Sequence, residues 1–488
     1  MSDHLRQQYQ PVIGLEVHIQ LATESKLFAV EHFAFGAEPN TQLSPITLSH
    51  PGALPALNHR CIEYAVKLGL AVGSEINTHT YFDRKNYFYP DLPKGYQMSQ
   101  DREPICKGGS LRIRTAAGET KTIRIHHLHL EEDAGKSIHD QSPHESFIDL
   151  NRAGVALIEL VSEPDMRSPE EAAAFMAEIR RLVRYLGIGE GDMEKGNLRC
   201  DANVSVMRKE ATEYGTRAEI KNMNSMSFLE KAVNYEIDRQ INLIESGGTV
   251  IQETRTWDVA QERTLSMRDK ESADDYRYFP EPDVLPVQIA QEEIDEIAKE
   301  IPELPLSRFE RYHEEYGISE NEAWSLVELR ADSDYFEALL RRTSNPRLAA
   351  NWIMGPIRSY LNEHKLEMED FALSPEQLFP LIQLLEDGKV NRQAAFGSLF
   401  EAYVQTPDTN VLRIAEDLNL LIDNDTDELG RLMEEIIQQN PKEVEAYRGG
   451  KKKLLGFFVG QMMRQLKGKG DPKAVNQIVR EKLENWDN

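Results

Sequence analysis

Cysteine is scarce: Cys61, Cys106 and Cys200 are the three in 488 residues. They are far apart and odd in number, so neither a disulfide framework nor a Cys-x-x-Cys zinc site can be assembled from them. Long apolar runs are missing as well. The run "LLGFFVGQMM" at 454–463 falls short of the roughly 18 apolar residues that a membrane helix needs, and the N-terminal "MSDHLRQQYQ" is polar where a secretory signal needs an apolar centre. These absences exclude a membrane-embedded or disulfide-stapled protein and make the cytoplasm the expected compartment. Positive charge is outnumbered, with 56 Lys and Arg against 82 Asp and Glu for a net −26, which argues against broad, non-specific nucleic-acid binding. The sequence shows neither internal repeats nor low-complexity tracts.

What remains is a chain long enough for roughly three domains, each with its own core. Between residue 12 and about 290, short alternating strands are punctuated by Gly, Pro, Asn and Asp, and two stretches read as helix. The first is "SPEEAAAFMAEIRRLVRYLG", with Ser168 as N-cap, Pro169 in the first turn, Glu171 at the capping-box position and Gly187 as its stop. Its Phe175, Ile179, Leu182, Val183 and Leu186 recur at core-facing spacing. The second is "SFLEKAVNYEIDRQINLIESGG", where Ser227 and Glu230 form the expected capping box and Gly247 the stop. Three prolines in "RYFPEPDVLP", 277–286, then break the chain, and nearly everything after them is helical pattern. A looser stretch, "VQTPDTN" at 404–410, sets off a last helical module. The expected class is α+β, with a β-sheet-based domain over 1–292, an all-helical domain over 293–407 and a small helical tail domain over 408–488. The tail is the exception to the acidic balance: from Arg448 to Lys482, ten Lys or Arg face two acidic residues, a local +8. Lys451, Lys452, Lys453, Arg464, Lys467 and Lys469 make it the best nucleic-acid candidate, with a solvated face as the alternative.

Several strands carry polar candidates. In "VIGLEVHIQL", 12–21, alternation puts Glu16, His18 and Gln20 on one face and Leu15, Val17, Ile19 and Leu21 on the other. A carboxylate and an imidazole two residues apart can serve metal or acid–base chemistry, and the same pattern also describes a solvated strand face. "HLHLEEDAGKS", 127–137, ends like a phosphate loop, but that motif needs glycine where Leu130 stands, and its three acids would repel a polyphosphate. It reads instead as the end of a strand with Ile123, Ile125, His127, His129 and Glu131 on one face and Leu128, Leu130 and Glu132 on the other. Glu131 and Glu132 there are candidate Mg²⁺ ligands, or part of a charged turn. "NLRCDANVSV" aligns Arg199, Asp201, Asn203 and Ser205 on one face, and in "TRAEIKNMNS" Glu219 and Lys221 share one. Separate strands each offering carboxylates suggest convergence on a cation. The expected loop "FDRKNYFYPDLPKGYQMSQ", 82–100, interleaves Arg84, Lys85 and Lys94 with Tyr87, Phe88, Tyr89 and Tyr96, a composition suited to a nucleotide or an RNA 3′ end. Arg152 beside Gly154 is a candidate phosphate contact, the strand after it reads as core, and Lys136 is a further candidate for nucleotide binding.

Taken together, "VIGLEVHIQL", "FGAEPNT", "PGALPALN", "FDRKNYFYPDLPKGYQ", "LHLEEDAGKS", "DLNRAGVALIE", "GNLRCDANVSV", "AEIKNMNS" and "DDYRYFPEPD" closely resemble the B-subunit family of the tRNA-dependent amidotransferases, over about Val12 to Leu483. The resemblance implies a cradle-shaped first domain that uses ATP and Mg²⁺ to phosphorylate the side-chain carboxylate of Glu-tRNA(Gln) or Asp-tRNA(Asn), which ammonia then amidates. It places Glu16, His18, Glu131, Glu132, Asp201 and Glu219 in a metal-bearing pocket, with Glu16, His18, Glu131, Asp201 and Glu219 as its ligands. Lys85 and Lys94 would stand by the ammonia path. It also implies an amidase-type A subunit as glutaminase, a small C subunit, and a tail that contacts tRNA. Some relatives carry a four-cysteine zinc knot where this chain reads "SPIT", 44–47, so zinc is not expected. The competing expectation is a non-catalytic tRNA-binding scaffold.

Overall fold

The computed structural model describes residues 3–139, 141–142, 144–267, 276–422, 426–466 and 472–486. The chain divides into two compact units, Met1–Arg308 and Phe309–Asn488. The first is a mixed sheet with helices and the second is helical, an α+β protein as expected.

The first unit is organised by β1 (Tyr9–Gln20), whose alternation is the expected one: Leu15, Val17 and Ile19 are buried, whereas Glu16, His18 and Gln20 are partly open. After α1 (His59–Ala71) come β2 (Asp83–Asn86), β3 (Tyr96–Ser99), β4 (Thr120–Glu132) and β5 (Ala156–Ser162). They are followed by α2 (Pro169–Leu186), β6 (Leu198–Arg208), β7 (Ala218–Lys221), α3 (Met226–Glu245), β8 (Thr254–Asp258), β9 (Arg263–Ser266) and β10 (Arg277–Pro280). The sheet runs β9-β8-β7-β6-β1-β5-β4-β3-β2-β10. Helices α2 and α3 cover one face, where Phe175, Ile179, Leu182, Leu229, Val233 and Ile237 join the β1 apolar set in one core. Burial of each such side chain is worth about 1.5–3 kcal/mol. A one-residue slip of β1 would turn that set to solvent and bury Glu16 and His18, so the register that builds the core also presents the polar row on the opposite face.

Several local expectations need correction. The helix α1 was not among the two expected: Asn58 caps it through its side chain to Arg60 N, and Cys61, Ile62, Ala65, Val66 and Leu68 form its buried stripe. Helix α3 is capped by Ser225, which accepts from Phe228 N, and not by Ser227. The expected loop at 82–100 contains the antiparallel pair β2 and β3. Finally, β4 does not keep one phase. Opposite β5, Val161 pairs with His127 and Ser162 with Ile125, so His126 is an extra residue. This bulge shifts the alternation: Ile123 and Ile125 join Leu128 and Leu130 in the core, and His127, His129 and Glu131 stand on the other side. The caps of α2 follow expectation, with Ser168 accepting from Glu171 N and Gly187 left-handed at φ 67°. The Glu171 carboxylate accepts from Arg167 N rather than from the N-cap amide.

All three cysteines are buried, and burial pushes their thiols up, Cys61 to about 12. No thiol of the native chain should react with a colourless disulfide reagent at neutral pH within minutes, and all three should react after denaturation. A single fast-reacting equivalent in the native protein would contradict this packing.

In the second unit Trp352, fully buried against Phe396 and Phe400, ends the helix Pro346–Trp352, and the chain continues through a wider turn, Ile353–Ile357, that accommodates Pro356. Toward the C-terminus, the helices Thr426–Gln439, Pro441–Arg448, Leu455–Gln465 and Pro472–Glu484 enclose Met433, Phe458, Met462, Val475 and Val479. No helix among the described residues is long and apolar enough to cross a membrane.

Candidate functional site

The open face of the sheet gathers carboxylates and cations from adjacent strands. Register sets His18 of β1 opposite Glu159 of β5, and Glu159 opposite His129 of β4. His18 Nε2 lies 3.4 Å from Glu159 and 3.6 Å from Glu131, and His129 Nε2 lies 3.5 Å and 3.8 Å from the same two carboxylates. Burial alone would discharge His18, but the hydrogen bond and charge of Glu159, together with Glu131 and Asp201, outweigh it and hold the imidazole up at about 9. Glu159 is correspondingly held far below the usual carboxylate range despite its burial, by His129, His18 and Lys85. His127 stacks on His129 with ring centroids 5.2 Å apart and, through burial and its two histidine neighbours, is pulled down to about 4.

A second group stands beside the first. Glu16 pairs across strands with Asp201 of β6, Asn203 with Glu219 of β7, and Glu219 with Thr254 of β8. Asn203 donates to Glu16 at 2.9 Å, Thr254 donates to Glu219 at 2.8 Å, and Lys221 Nζ reaches Asp201 at 2.9 Å and Glu219 at 3.1 Å. Burial, with the charges of Glu159 and Glu219, raises Glu16. His18, Glu131 and Glu159 can bring one ligand atom each within 4.8 Å of one another, and so can Glu16, Asp201 and Glu219. Oxygen-rich sets, one with a single imidazole and one of carboxylates alone, suit a hard divalent cation such as Mg²⁺ or Mn²⁺.

Lys85, on β2, faces Glu131 and Glu159, whose charges outweigh its burial and raise it, and its ammonium lies 5.0 Å from the Tyr276 ring. Tyr87 packs edge-on to Tyr276 with centroids 5.5 Å apart. Glu132 points away from Glu131: it takes the Lys94 ammonium and accepts from Met98 N at 3.2 Å, anchoring the turn between β2 and β3. Arg84 grips Glu281 with two hydrogen bonds of 2.7 and 2.8 Å and stacks on Tyr96 at 4.3 Å. Arg152 donates to the carbonyls of Ala134 and Gly135 and lies 3.3 Å from Asp133, a carboxylate it shares with Arg199. Lys136 is exposed at the start of a ribbon with Phe147–Asp149. The glycine of "AGKS" has a packing reason, because a Cβ on Gly135 would sit 2.9 Å from the Asp149 carbonyl and 3.0 Å from that of Asp91. In the tail, Lys451 and Lys453 are exposed and Lys452 stacks its ammonium 4.3 Å from the Tyr447 ring. Arg464 is in the last turn of Leu455–Gln465, and Lys467 and Lys469 lie outside the described residues.

Sequence reasoning missed Glu159, in a strand read as purely apolar; its signal was a lone carboxylate interrupting "ALIELVS". It also missed Asp133 with its two arginines, and Thr254.

Comparison with known proteins gives the family. Residues 11–295 match the family model for the GatB/GatE catalytic domain, and residues 334–483 the one for the GatB domain. The chain is 50% identical over 472 residues to the B subunit of the aspartyl/glutamyl-tRNA(Asn/Gln) amidotransferase of Thermodesulfovibrio yellowstonii, covering 97% of this chain and 98% of that protein. It is 46% identical over 482 residues to the protein of the same name from a Synechococcus species, with 98% of each covered. With that of Alkalilimnicola ehrlichii, identity is 47% over 481 residues, 98% of this chain and 100% of the relative. The carboxylate-lined sheet face lies wholly inside the first matched region, and the chain belongs to the B-subunit family of the aspartyl/glutamyl-tRNA(Asn/Gln) amidotransferases.

Proposed function

We propose that this chain phosphorylates, with ATP, the side-chain carboxylate of glutamate on tRNA(Gln) or aspartate on tRNA(Asn), and amidates the product with ammonia. The observation that carries this reading is the convergence of five carboxylates and His18 from five adjacent strands on one open sheet face. Apolar packing alone does not require so costly an arrangement. His18, Glu131, Glu159, Glu16, Asp201 and Glu219 are the residues to hold Mg²⁺, which when bound neutralises the charge of a polyphosphate facing a carboxylate. The substrate carboxylate oxygen attacks the γ-phosphorus and ADP departs. The nitrogen lone pair of ammonia then attacks the carbonyl carbon, phosphate leaves with the C–O electron pair, and one proton is released. Lys85, kept charged by Glu131 and Glu159, supplies a cation beside the reacting anions. Lys94, fixed by Glu132, borders the ammonia path. Arg84 and Tyr87 flank the nucleotide or the RNA 3′ end, with Arg152 and Lys136 as further phosphate contacts.

The three thiols are buried in the core, away from any role as an amidohydrolase nucleophile. In this reading ammonia comes from an amidase-type A subunit, with a small C subunit completing the heterotrimer. The division into a cradle (1–292), a helical domain (293–407) and a tail (408–488) belongs to the same proposal, as does tRNA binding by the tail. Titrating Mn²⁺ into the isolated chain tests the reading: loss of the tightest binding in Glu131→Gln and in His18→Ala is expected, and no binding by the unaltered chain would favour a non-catalytic scaffold. Replacing Lys451, Lys452 and Lys453 by Ala should weaken tRNA affinity about tenfold or more near physiological salt and flatten its dependence on log[salt] by roughly two units. An unchanged slope would return the cluster to solvated surface.

A further inference from the structure

The two carboxylate groups are not equivalent, and the difference lies in what neutralises them. Around Glu131 and Glu159 the counter-charges in direct contact are the imidazoles of His18 and His129, with the Lys85 ammonium acting from farther off. Within Glu16, Asp201 and Glu219 the counter-charge is an aliphatic ammonium. Lys221 Nζ sits 2.9 Å from Asp201 Oδ2 and 3.1 Å from Glu219 Oε1, bridging two of the three acids. Its side chain is 41% exposed, against 17% for Asp201 and 25% for Glu219, so it reaches water more readily than either acid. Two of the three acids, Glu16 and Glu219, do not depend on it for their placement. Asn203 holds Glu16 Oε1, and Thr254 holds the other oxygen of Glu219, both by neutral hydrogen bonds. Thr254 is in position because β7 and β8 are the one parallel pair among the described strands, with α3 between them in sequence, which sets Glu219 beside Thr254.

We propose that Lys221 is a tethered counter-ion of this second group, standing where a divalent cation would bind, and that such a cation enters only by displacing the ammonium toward solvent. The inference rests on the cation-holding role given to the sheet face above. It adds that the two groups differ in affinity and that one residue sets the difference. Displacement needs no proton loss, since the half-exposed ammonium remains charged in water.

The test is Mn²⁺ binding to the full chain, followed by the paramagnetic resonance of free Mn²⁺. Two classes are expected in the unaltered chain: a tighter one lost in His18→Ala and a weaker one lost in Asp201→Asn. Lys221→Met removes a unit charge about 3 Å from two ligands and should tighten the weaker class at least about tenfold. Thr254→Val in that background should reverse part of the gain, and Thr254→Ser should keep it. Mn²⁺ should also raise the melting temperature of Lys221→Met more than that of the unaltered chain, so a destabilised variant still reports. Should Lys221→Met not fold even with Mn²⁺, Lys221→Gln carries the same expectation, and failure of both to fold with Mn²⁺ overturns the proposal. An unchanged or weakened second class in a folded variant overturns the counter-ion role alone. Absence of any Mn²⁺ binding in the unaltered chain overturns the cation-holding role as well.

Discussion

Glu131→Gln should lower ATP-dependent phosphorylation of the aminoacyl group by about 10³-fold or more, while glutamine hydrolysis by the proposed partner subunit persists in the assembled complex. Glu131 is almost fully buried at the end of β4 and lies within 3.6 Å of His18 and 3.8 Å of His129. Glutamine has the same shape and removes only the negative charge, so backbone pairing of β4 to β5 and the contacts of both imidazoles with Glu159 remain. The loss should therefore appear in turnover and cation binding, with little change in melting temperature. A variant that transamidates at the rate of the unaltered chain would remove Glu131 from the site.

The second large effect concerns Asp133, which is nearly inaccessible. Its carboxylate accepts from Arg199 at 2.9 Å and lies 3.3 Å from Arg152, its amide donates to Val155 O at 2.8 Å, and its carbonyl accepts from Gly154 N at 2.9 Å. It thus fixes the exit of β4 just beyond Glu131 and Glu132. Asp133→Asn leaves two guanidinium groups without their anion. Breaking a buried pair costs about 3–5 kcal/mol, but both arginines are about a third exposed, so roughly 2–3 kcal/mol is the expected loss. That corresponds to a fall of about 5 °C in melting temperature. A change below about 1 °C would show that the arginines are equally well solvated without it.

What the sequence revealed and what it hid divide along a physical line. Alternation within a strand is local, so the polar faces of "VIGLEVHIQL" and "NLRCDANVSV" were readable, as were Ser168 and Gly187 at the ends of α2. Adjacency between strands is not local. Nothing in "ALIELVS" says that Glu159 will stand between His18 and His129, because that requires β1, β5 and β4 to be neighbours in register. The bulge at His126 was hidden for the same reason: an extra residue is extra only against a partner strand. Glu131 and Glu132 read as one ligand pair because they are consecutive, yet a pleat sends them to opposite sides, one to the imidazoles and the other to Lys94. Helix α1 was obscured by a glycine and β-branched residues within it, and is secured by Asn58 and by tertiary burial.

In the proposed reaction this sheet face directs transfer of a phosphoryl group to the carboxylate carried by the tRNA. Glutamyl-tRNA labelled with ¹⁸O in its side-chain carboxylate tests it directly in the complex assembled with the partner subunits, ATP and glutamine. Each turnover should place one labelled oxygen in inorganic phosphate, and the label transfer should vanish in Glu131→Gln while glutamine hydrolysis continues. Unlabelled phosphate at full transamidation would rule out phosphorylation of the carboxylate, and label transfer undiminished by Glu131→Gln would remove this face from the reaction.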